Sequence, residues 1–221
     1  IKVSQAEGHE PPYSKADIQE CIKHVVDVNW GDKTDIAPDV KMTMENAGHI
    51  LGSSSVYMQI GEGKSEHRLL FSGDIKYEKS WLFDAATVRF PKVDTLVIES
   101  TYGGPQSIQP TRHQASQELQ DLVSDTLSRK GKIFCPVFAV GRSQEVMLAI
   151  DELFKSGRVQ PVTVWLDGMI SEASAIHSSH PNFLNRELKK SMLRGGDENP
   201  FNSSWFKQVD SREMRETILL D

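Results

Sequence analysis

Three short apolar segments of this 221-residue chain each break near a glycine and present a metal-binding or proton-carrying side chain at the break. The three side chains are His49, Asp74 and Glu99, and they follow one another at intervals of 25 residues. In an α/β sheet, sites are built at the carboxyl ends of the strands and in the loops beyond them. Three such ends in succession therefore predict one shared pocket.

The residues before 105 are patterned as one helix and a set of strands. Ser14 and Asp17 form a capping-box pattern at the start of a helix expected over 15–27, whose apolar residues recur at helical spacing and predict one buried face. Alternating or apolar β-rich segments then predict strands over 40–44, 56–60, 68–71 and 95–98.

After a stretch of linker composition near residues 103–110, the pattern changes to alternating helices and strands. The expected elements are a helix over 111–129, a strand over 132–137, a helix over 142–154, a strand over 162–166 and a helix over 171–177, with a loop over 195–204 beyond them. This βαβ alternation predicts a parallel sheet flanked by helices. We expect an α/β fold in two parts, 1–105 and 106–221.

Composition limits the classes of function. The formal net charge of −6 argues against holding nucleic acid by bulk electrostatics, although a bound metal pair would add local positive charge. No apolar run approaches the roughly 20 residues of a membrane span, and the chain starts without a signal-peptide pattern, so we expect a cytoplasmic protein without membrane contact.

Cys21 and Cys135 lie in apolar-patterned segments and are expected to be reduced core thiols. The chain begins without Met and is expected to be a fragment.

A neutral imidazole and a carboxylate are suitable zinc ligands, and a carboxylate can bridge two ions. His49 follows a glycine in a tight loop, and Asp74 follows a glycine at a strand end. Two ligands are too few for a closed zinc site. From the residues alone, two readings stay open: part of a metal site, or ordinary capping and hydrogen-bonded polar groups.

Four motifs extend this reading when they are taken together. They are residues 46–53 (NAGHILGS), 71–74 (FSGD), 98–103 (IESTYG) and 138–145 (FAVGRSQE). Their order and wording resemble the successive motifs of metallo-β-lactamase proteins that carry a β-CASP domain. Within that group, the chain resembles the archaeal homologues of the nuclease subunit of the cleavage and polyadenylation specificity factor.

The resemblance implies part of a metallo-β-lactamase αββα sandwich followed by most of an inserted β-CASP domain. It implies a ribonuclease with two Zn²⁺ ions per complete site, mainly endonucleolytic, that acts in RNA 3′-end processing or transcription termination. His49 is similar to a ligand of one zinc, and Asp74 to the aspartate that bridges both. Glu99 resembles the acidic residue that hydrogen-bonds near the zinc site and supports proton transfer.

The resemblance also implies RNA as a partner and a homodimer of the full-length protein. The family's histidine-rich motif and its two later β-CASP histidines have no counterpart among these residues, so the chain alone is not expected to cleave RNA. The alternative function is a catalytically silent RNA-binding or scaffold subunit of an RNA-processing complex.

Other candidate residues have a functional and a structural explanation. Gly141 and Arg142 open a helix after a strand, where N–H groups and a guanidinium contact phosphate in many proteins, or where they simply cap the helix. Ser53 and Ser54 are candidates for holding a phosphate oxygen or for forming a turn. His177 and His180 are spaced for a metal, but a packing or surface role is favoured.

Overall fold

The first half of the chain folds into a five-stranded sheet whose strands lie side by side in sequence order. The computed structural model describes residues 1–193 and 199–220, so the predicted loop over 195–204 falls partly outside them. The first four strands pair antiparallel, and the fifth is parallel to the fourth. The strands are β1 (Lys33–Ala37), β2 (Val40–Asn46), β3 (Ser54–Ile60), β4 (His67–Phe71) and β5 (Thr95–Val97).

The sequence predicted four of these strands, β2 to β5, and the register of β2 and β3 defines the loop between them. The two strands pair from Val40 with Ile60 to Asn46 with Ser54, so the loop that carries His49 is the hairpin connection between them. Strand β1 was not predicted, because its five residues include a single large apolar side chain, Ile36, which is itself exposed. Strand β1 forms the sheet edge.

The second half is mainly helical. The helix predicted over 111–129 is present, and Thr111 caps it with a reciprocal bond to Gln114. The helices of the described residues are α1 (Lys2–Ala6), α2 (Lys15–Lys23), α3 (Arg112–Ser128), α4 (Arg142–Lys155), α5 (Ile170–Ser179), α6 (Arg186–Leu193) and α7 (Arg212–Leu220).

The parallel sheet of the second half is smaller than predicted. It contains two strands, β6 (Val164–Leu166) and β7 (Phe206–Gln208), which pair in parallel. The strand predicted over 132–137 is wrong, because no strand among the described residues pairs with that segment. Phe134 within it is 85% exposed. An apolar composition alone therefore did not give this segment a partner strand.

Two predictions about burial are also wrong. Helix α2 has the predicted Ser14 cap but ends at Lys23, and it buries none of its residues. Its apolar periodicity describes a face suited to packing, and within the described chain nothing covers that face. Cys21 and Cys135 are free thiols as expected, but both are exposed and are not core residues.

The main core lies among the helices of the second half and includes a piece of the first. Leu82 is fully buried and Phe83 is 3% exposed, and both pack in one cluster with residues of α4, β6, α6 and β7. The other buried members of this cluster are Met147, Leu148, Leu166, Leu184, Leu188, Phe201 and Phe206. The segment between β4 and β5 therefore extends into the helical part.

No helix in the described part of the chain combines the length and apolarity that a membrane crossing requires.

His177 is buried beside this core, and its pKa makes a prediction about stability. Its Nδ1 lies 2.7 Å from the carbonyl oxygen of Ala173, and the ring lies near Phe83 and Phe201. Burial lowers the pKa of His177 below its usual 6.5, against the opposing effect of the Ala173 hydrogen bond. The unfolded chain therefore binds this proton at a higher pH than the folded protein does.

We expect the free energy of unfolding to be largest above the unfolded pKa of 6.5 and to fall as the pH drops from there through the folded pKa. Denaturant titrations from about pH 8 to about pH 5 measure this loss. At the higher pH, the free energy of unfolding of His177→Leu should be about 1 kcal/mol lower than that of the wild type, because one hydrogen bond is removed. On acidification, the free energy of unfolding of this variant should fall by less than that of the wild type. The exposed His180→Leu is the control, and equal acid losses in both variants would contradict the assignment.

Candidate active site

The loop that carries His49 is held in shape by Ser53. The Ser53 carbonyl accepts the N–H of Ala47 at 3.0 Å, and its own N–H donates to the carbonyl of Ile50 at 3.0 Å. The Ser53 hydroxyl accepts the N–H groups of His49 and Ile50 at 3.1 and 3.2 Å. His49 therefore stands on a loop that Ser53 closes with four hydrogen bonds.

Gly48 brings this loop against the segment that follows Asp74. Gly48 is buried with φ of +68°, and a β-carbon there would lie 2.8 Å from the carbonyl oxygen of Lys76 and 2.9 Å from backbone atoms of Asp84 and Ala86. A side chain at this position would be both strained in φ and overlapped by backbone. Glycine is therefore required for the His49 loop to approach the Asp74 segment this closely.

Ser72 links the strand ends that carry the two carboxylates. Its buried hydroxyl donates to the carbonyl of Gly73 at 2.6 Å and accepts the N–H of Glu99 at 3.1 Å. Glu99 then accepts the N–H of Ile75 at 2.8 Å, directly after Asp74. These bonds tie the end of β4 to the end of β5, which the parallel pairing of the two strands brings side by side.

The structure brings all three predicted residues together. His49 Nε2 lies 3.8 Å from Asp74 Oδ2, and the Asp74 side chain is 71% exposed. Glu99 is near enough for the charge of His49 to act on its pKa. The three strand ends thus converge, and a pocket that encloses the three side chains stays a prediction.

The His49 and Asp74 donors fit part of a zinc site. Nitrogen and oxygen ligands of zinc lie about 2.0–2.2 Å from the ion, so two ligands of one ion are at most about 4.4 Å apart. The separation of 3.8 Å satisfies that limit. Over residues 1–193 and 199–220, no group of three or more His, Cys, Asp or Glu side chains is arranged to hold a metal. The donors present are therefore a partial ligand set.

Glu99 is held as a charged carboxylate. The hydroxyl of Thr101 and the N–H of Ile75 donate to it, and these bonds lower its pKa, while burial acts in the opposite direction. The N–H of Thr101 and the charge of His49 lower the pKa further. The observed contacts make Glu99 a residue that fixes the backbone after Asp74, and its role in proton transfer stays a prediction.

Gly141 and Arg142 lie next to the His49 loop. A β-carbon at Gly141 would be 3.2 Å from Cγ2 of Ile50. The Gly141 N–H donates to the Gln144 side chain at 2.7 Å, and Arg142 pairs with Glu145 at 2.9 Å. These are the bonds of a capped helix, so substrate contact by Gly141 and Arg142 stays a prediction.

The two serines after His49 already have partners. The Ser53 hydroxyl accepts the two loop N–H groups described above, and the Ser54 hydroxyl accepts the indole N–H of Trp30 at 2.8 Å and donates to the carbonyl of Gly52. The bonds to His49, Ile50 and Gly52 are those of a turn, and the Trp30 bond links this turn to a distant residue. Phosphate contact by either serine stays a prediction. His177 on α5 and His180 directly after its end lie outside this site.

Sequence reasoning missed two contributors, Asn46 and Lys76. The Asn46 side chain accepts the Gly48 N–H at 2.8 Å and donates to the carbonyls of Asp84 and Ala85 at 3.3 and 3.2 Å. Lys76 Nζ lies 3.8 Å from Glu145, the partner of Arg142. An Asn at the end of a strand and a Lys two residues after Asp74 were the available signals, but neither identifies its distant partner.

Comparison with known proteins agrees with this arrangement. A family model described as the Beta-Casp domain matches residues 143–220. The helical second half of the chain is thus similar to the Beta-Casp domain, and the relatives described next extend the similarity over the whole chain. The α/β fold described above fits that family.

The relatives are archaeal proteins called transcription termination factor FttA. The chain is 44% identical to the protein of Lokiarchaeum sp. (strain GC14_75) and 46% identical to that of Methanosarcina mazei, in each case over 99% of this chain and 34% of that protein. It is 45% identical to the protein of Cenarchaeum symbiosum over 100% of this chain and 34% of that protein. The chain thus spans about a third of the length of these relatives.

The packing at Gly48 makes a prediction about stability. We expect Gly48→Ala to lower the free energy of unfolding by about 3 kcal/mol, because the methyl group combines a strained φ with overlap against backbone. Gly52→Ala is the matched control, since Gly52 has φ of +76° in the same loop but nothing within 4 Å of its β-carbon position. It should cost about 1 kcal/mol. Equal losses in denaturant titrations would show that the close approach does not determine the effect.

Proposed function

We propose that this chain forms part of a zinc-dependent ribonuclease that hydrolyses RNA phosphodiester bonds, mainly by endonucleolytic cleavage. The observation that supports it most directly is the convergence of His49 Nε2 and Asp74 Oδ2 to 3.8 Å in a chain whose second half is similar to the Beta-Casp domain. An imidazole nitrogen and a carboxylate oxygen are ligand types that zinc accepts.

The place of this activity in the cell is suggested by the relatives. Proteins 44–46% identical to this chain are named transcription termination factors, so we place the cleavage in RNA 3′-end processing at transcription termination. RNA is then the substrate and partner. We further propose a cytoplasmic homodimer of the full-length protein, following the family resemblance.

The chain's own residues have separate tasks in this proposal. His49 and Asp74 would hold metal through an imidazole nitrogen and a carboxylate oxygen. When bound, two zinc ions lower the pKa of a water molecule and stabilise charge on the phosphoryl group. Glu99 keeps the Asp74 strand end in place through the Ile75 N–H. Lys76 and Arg142 both lie within 4 Å of Glu145, and we propose that these two cations attract the anionic substrate.

The full-length protein should contain two zinc ions and cleave a labelled single-stranded RNA. We expect Asp74→Asn to reduce the rate of cleavage by about 1,000-fold, because a metal ligand supplies several kcal/mol of transition-state stabilisation. Asp27→Asn is the matched control, since Asp27 is another exposed carboxylate and lies outside the site. Its rate should equal that of the wild type.

Metal analysis of the same samples distinguishes the alternatives. If the Asp74 variant loses both its zinc and its cleavage activity, the ribonuclease proposal is supported. A wild-type full-length protein that binds RNA but neither holds zinc nor cleaves would overturn the proposal in favour of a silent RNA-binding subunit.

A further inference from the structure

The segment that follows Asp74 forms a closed loop, here called the insertion loop, over residues 76–86. Its two ends are joined by a hydrogen bond from the Ala86 N–H to the Lys76 carbonyl at 2.8 Å. The base of the loop is also bonded to the site, because the Lys76 N–H donates to the carbonyl of Ala47 at 2.9 Å. Asn46 binds the carbonyls of Asp84 and Ala85 from the other side.

The tip of the insertion loop is a turn built on Ser80. The buried Ser80 hydroxyl accepts the N–H groups of Leu82 and Phe83 at 3.1 and 2.8 Å, and the Ser80 N–H donates to the Phe83 carbonyl at 2.9 Å. This turn presents Leu82 and Phe83 to the helical core, where both are buried. The tip is thus rigid in itself and anchored away from the sheet.

Asn185 joins this tip to the helical part. It is 2% exposed, and its side-chain nitrogen donates to the carbonyls of Ser80 and Trp81 at 3.4 and 2.7 Å. Its own N–H donates to the carbonyl of Leu82 at 2.7 Å. On the opposite side, its side-chain oxygen accepts the N–H groups of Glu187 and Leu188 at the start of α6.

We propose that Asn185 is a positioning residue that fixes the insertion loop, and through it the Asp74 strand end, against the helical part. Three consecutive carbonyls of the loop tip bond to this one residue. The loop base is bonded to the Asn46 side chain and to the Ala47 carbonyl, beside His49. A shift of the tip therefore reaches Asp74 along a chain of hydrogen bonds. The consequence for catalysis rests on the function proposed above.

The test separates this task of Asn185 from its capping of α6. Asn185→Ser keeps a side-chain oxygen for the helix N–H groups but removes the donor to the Ser80 and Trp81 carbonyls. Asn199→Ser is the matched control, because Asn199 also accepts a local N–H, from Phe201, and donates to Ser178, but does not contact the insertion loop. Both variants are made in the full-length protein.

Hydrogen exchange followed by mass spectrometry measures the loop directly and does not depend on catalysis. We expect amide exchange over residues 75–87 to accelerate about 10-fold in Asn185→Ser and to stay at the wild-type rate in Asn199→Ser. In RNA cleavage, kcat should fall about 10-fold with KM within about twofold, because the site is misplaced while substrate contacts remain. Ser80→Ala, which loosens the tip without touching α6, should reproduce both effects.

Wild-type exchange and kcat in Asn185→Ser would overturn the proposal and leave Asn185 as a helix cap. The same would follow if Asn199→Ser lowered kcat equally. If exchange accelerates over 75–87 as expected but the wild-type protein does not cleave RNA, the loop attachment is supported and the ribonuclease function is the part that fails.

Discussion

The contact on which the rest of the site depends is the approach of Gly48 to the backbone of the segment after Asp74. Carbonyl oxygens of Lys76 and Asp84 and the N–H of Ala86 occupy the space that any other side chain would need. Two strand ends that are far apart in sequence are thereby packed backbone against backbone. The short distance between His49 and Asp74 follows from this packing, because neither side chain has to cross a gap filled by other residues.

The hydrogen bonds around that contact form a continuous frame. Ser53 closes the His49 loop, Asn46 ties the loop to residues 84 and 85, and Ser72 joins the ends of β4 and β5. Glu99 completes the frame through the Ile75 N–H. Polar groups that would cost free energy if they were buried without partners are therefore used to fix the backbone from which the candidate ligands project.

Local signals predicted much of the fold. The cap at Ser14 and the strands β2 to β5 depend on neighbouring residues, so the sequence contains the information that defines them. Two predictions failed for the opposite reason: the strand over 132–137 and the burial of the apolar face of α2. Apolar periodicity indicates that a segment is suited to pairing or packing, but the element that it pairs with or packs against is determined by the whole fold.

The same distinction explains which site residues were predicted. His49, Asp74 and Glu99 were found because a glycine break after an apolar strand is a local pattern, and the family resemblance added their roles. Asn185 was missed because its partners are more than 100 positions away, at Ser80 and Trp81. A buried Asn near the start of a helix predicts a cap, and nothing local shows that its amide also bonds to a distant loop.

The His49 loop and the insertion loop that follows Asp74 are both anchored in one helical core. Leu51, two residues after His49, packs against the cluster that buries Leu82 and Phe83 of the insertion loop. The separation of His49 and Asp74 is therefore set from two sides, by the pairing of the sheet and by the helices beyond residue 105. Helices of the second half thus help to determine the geometry of a site whose two candidate metal ligands lie in the first half.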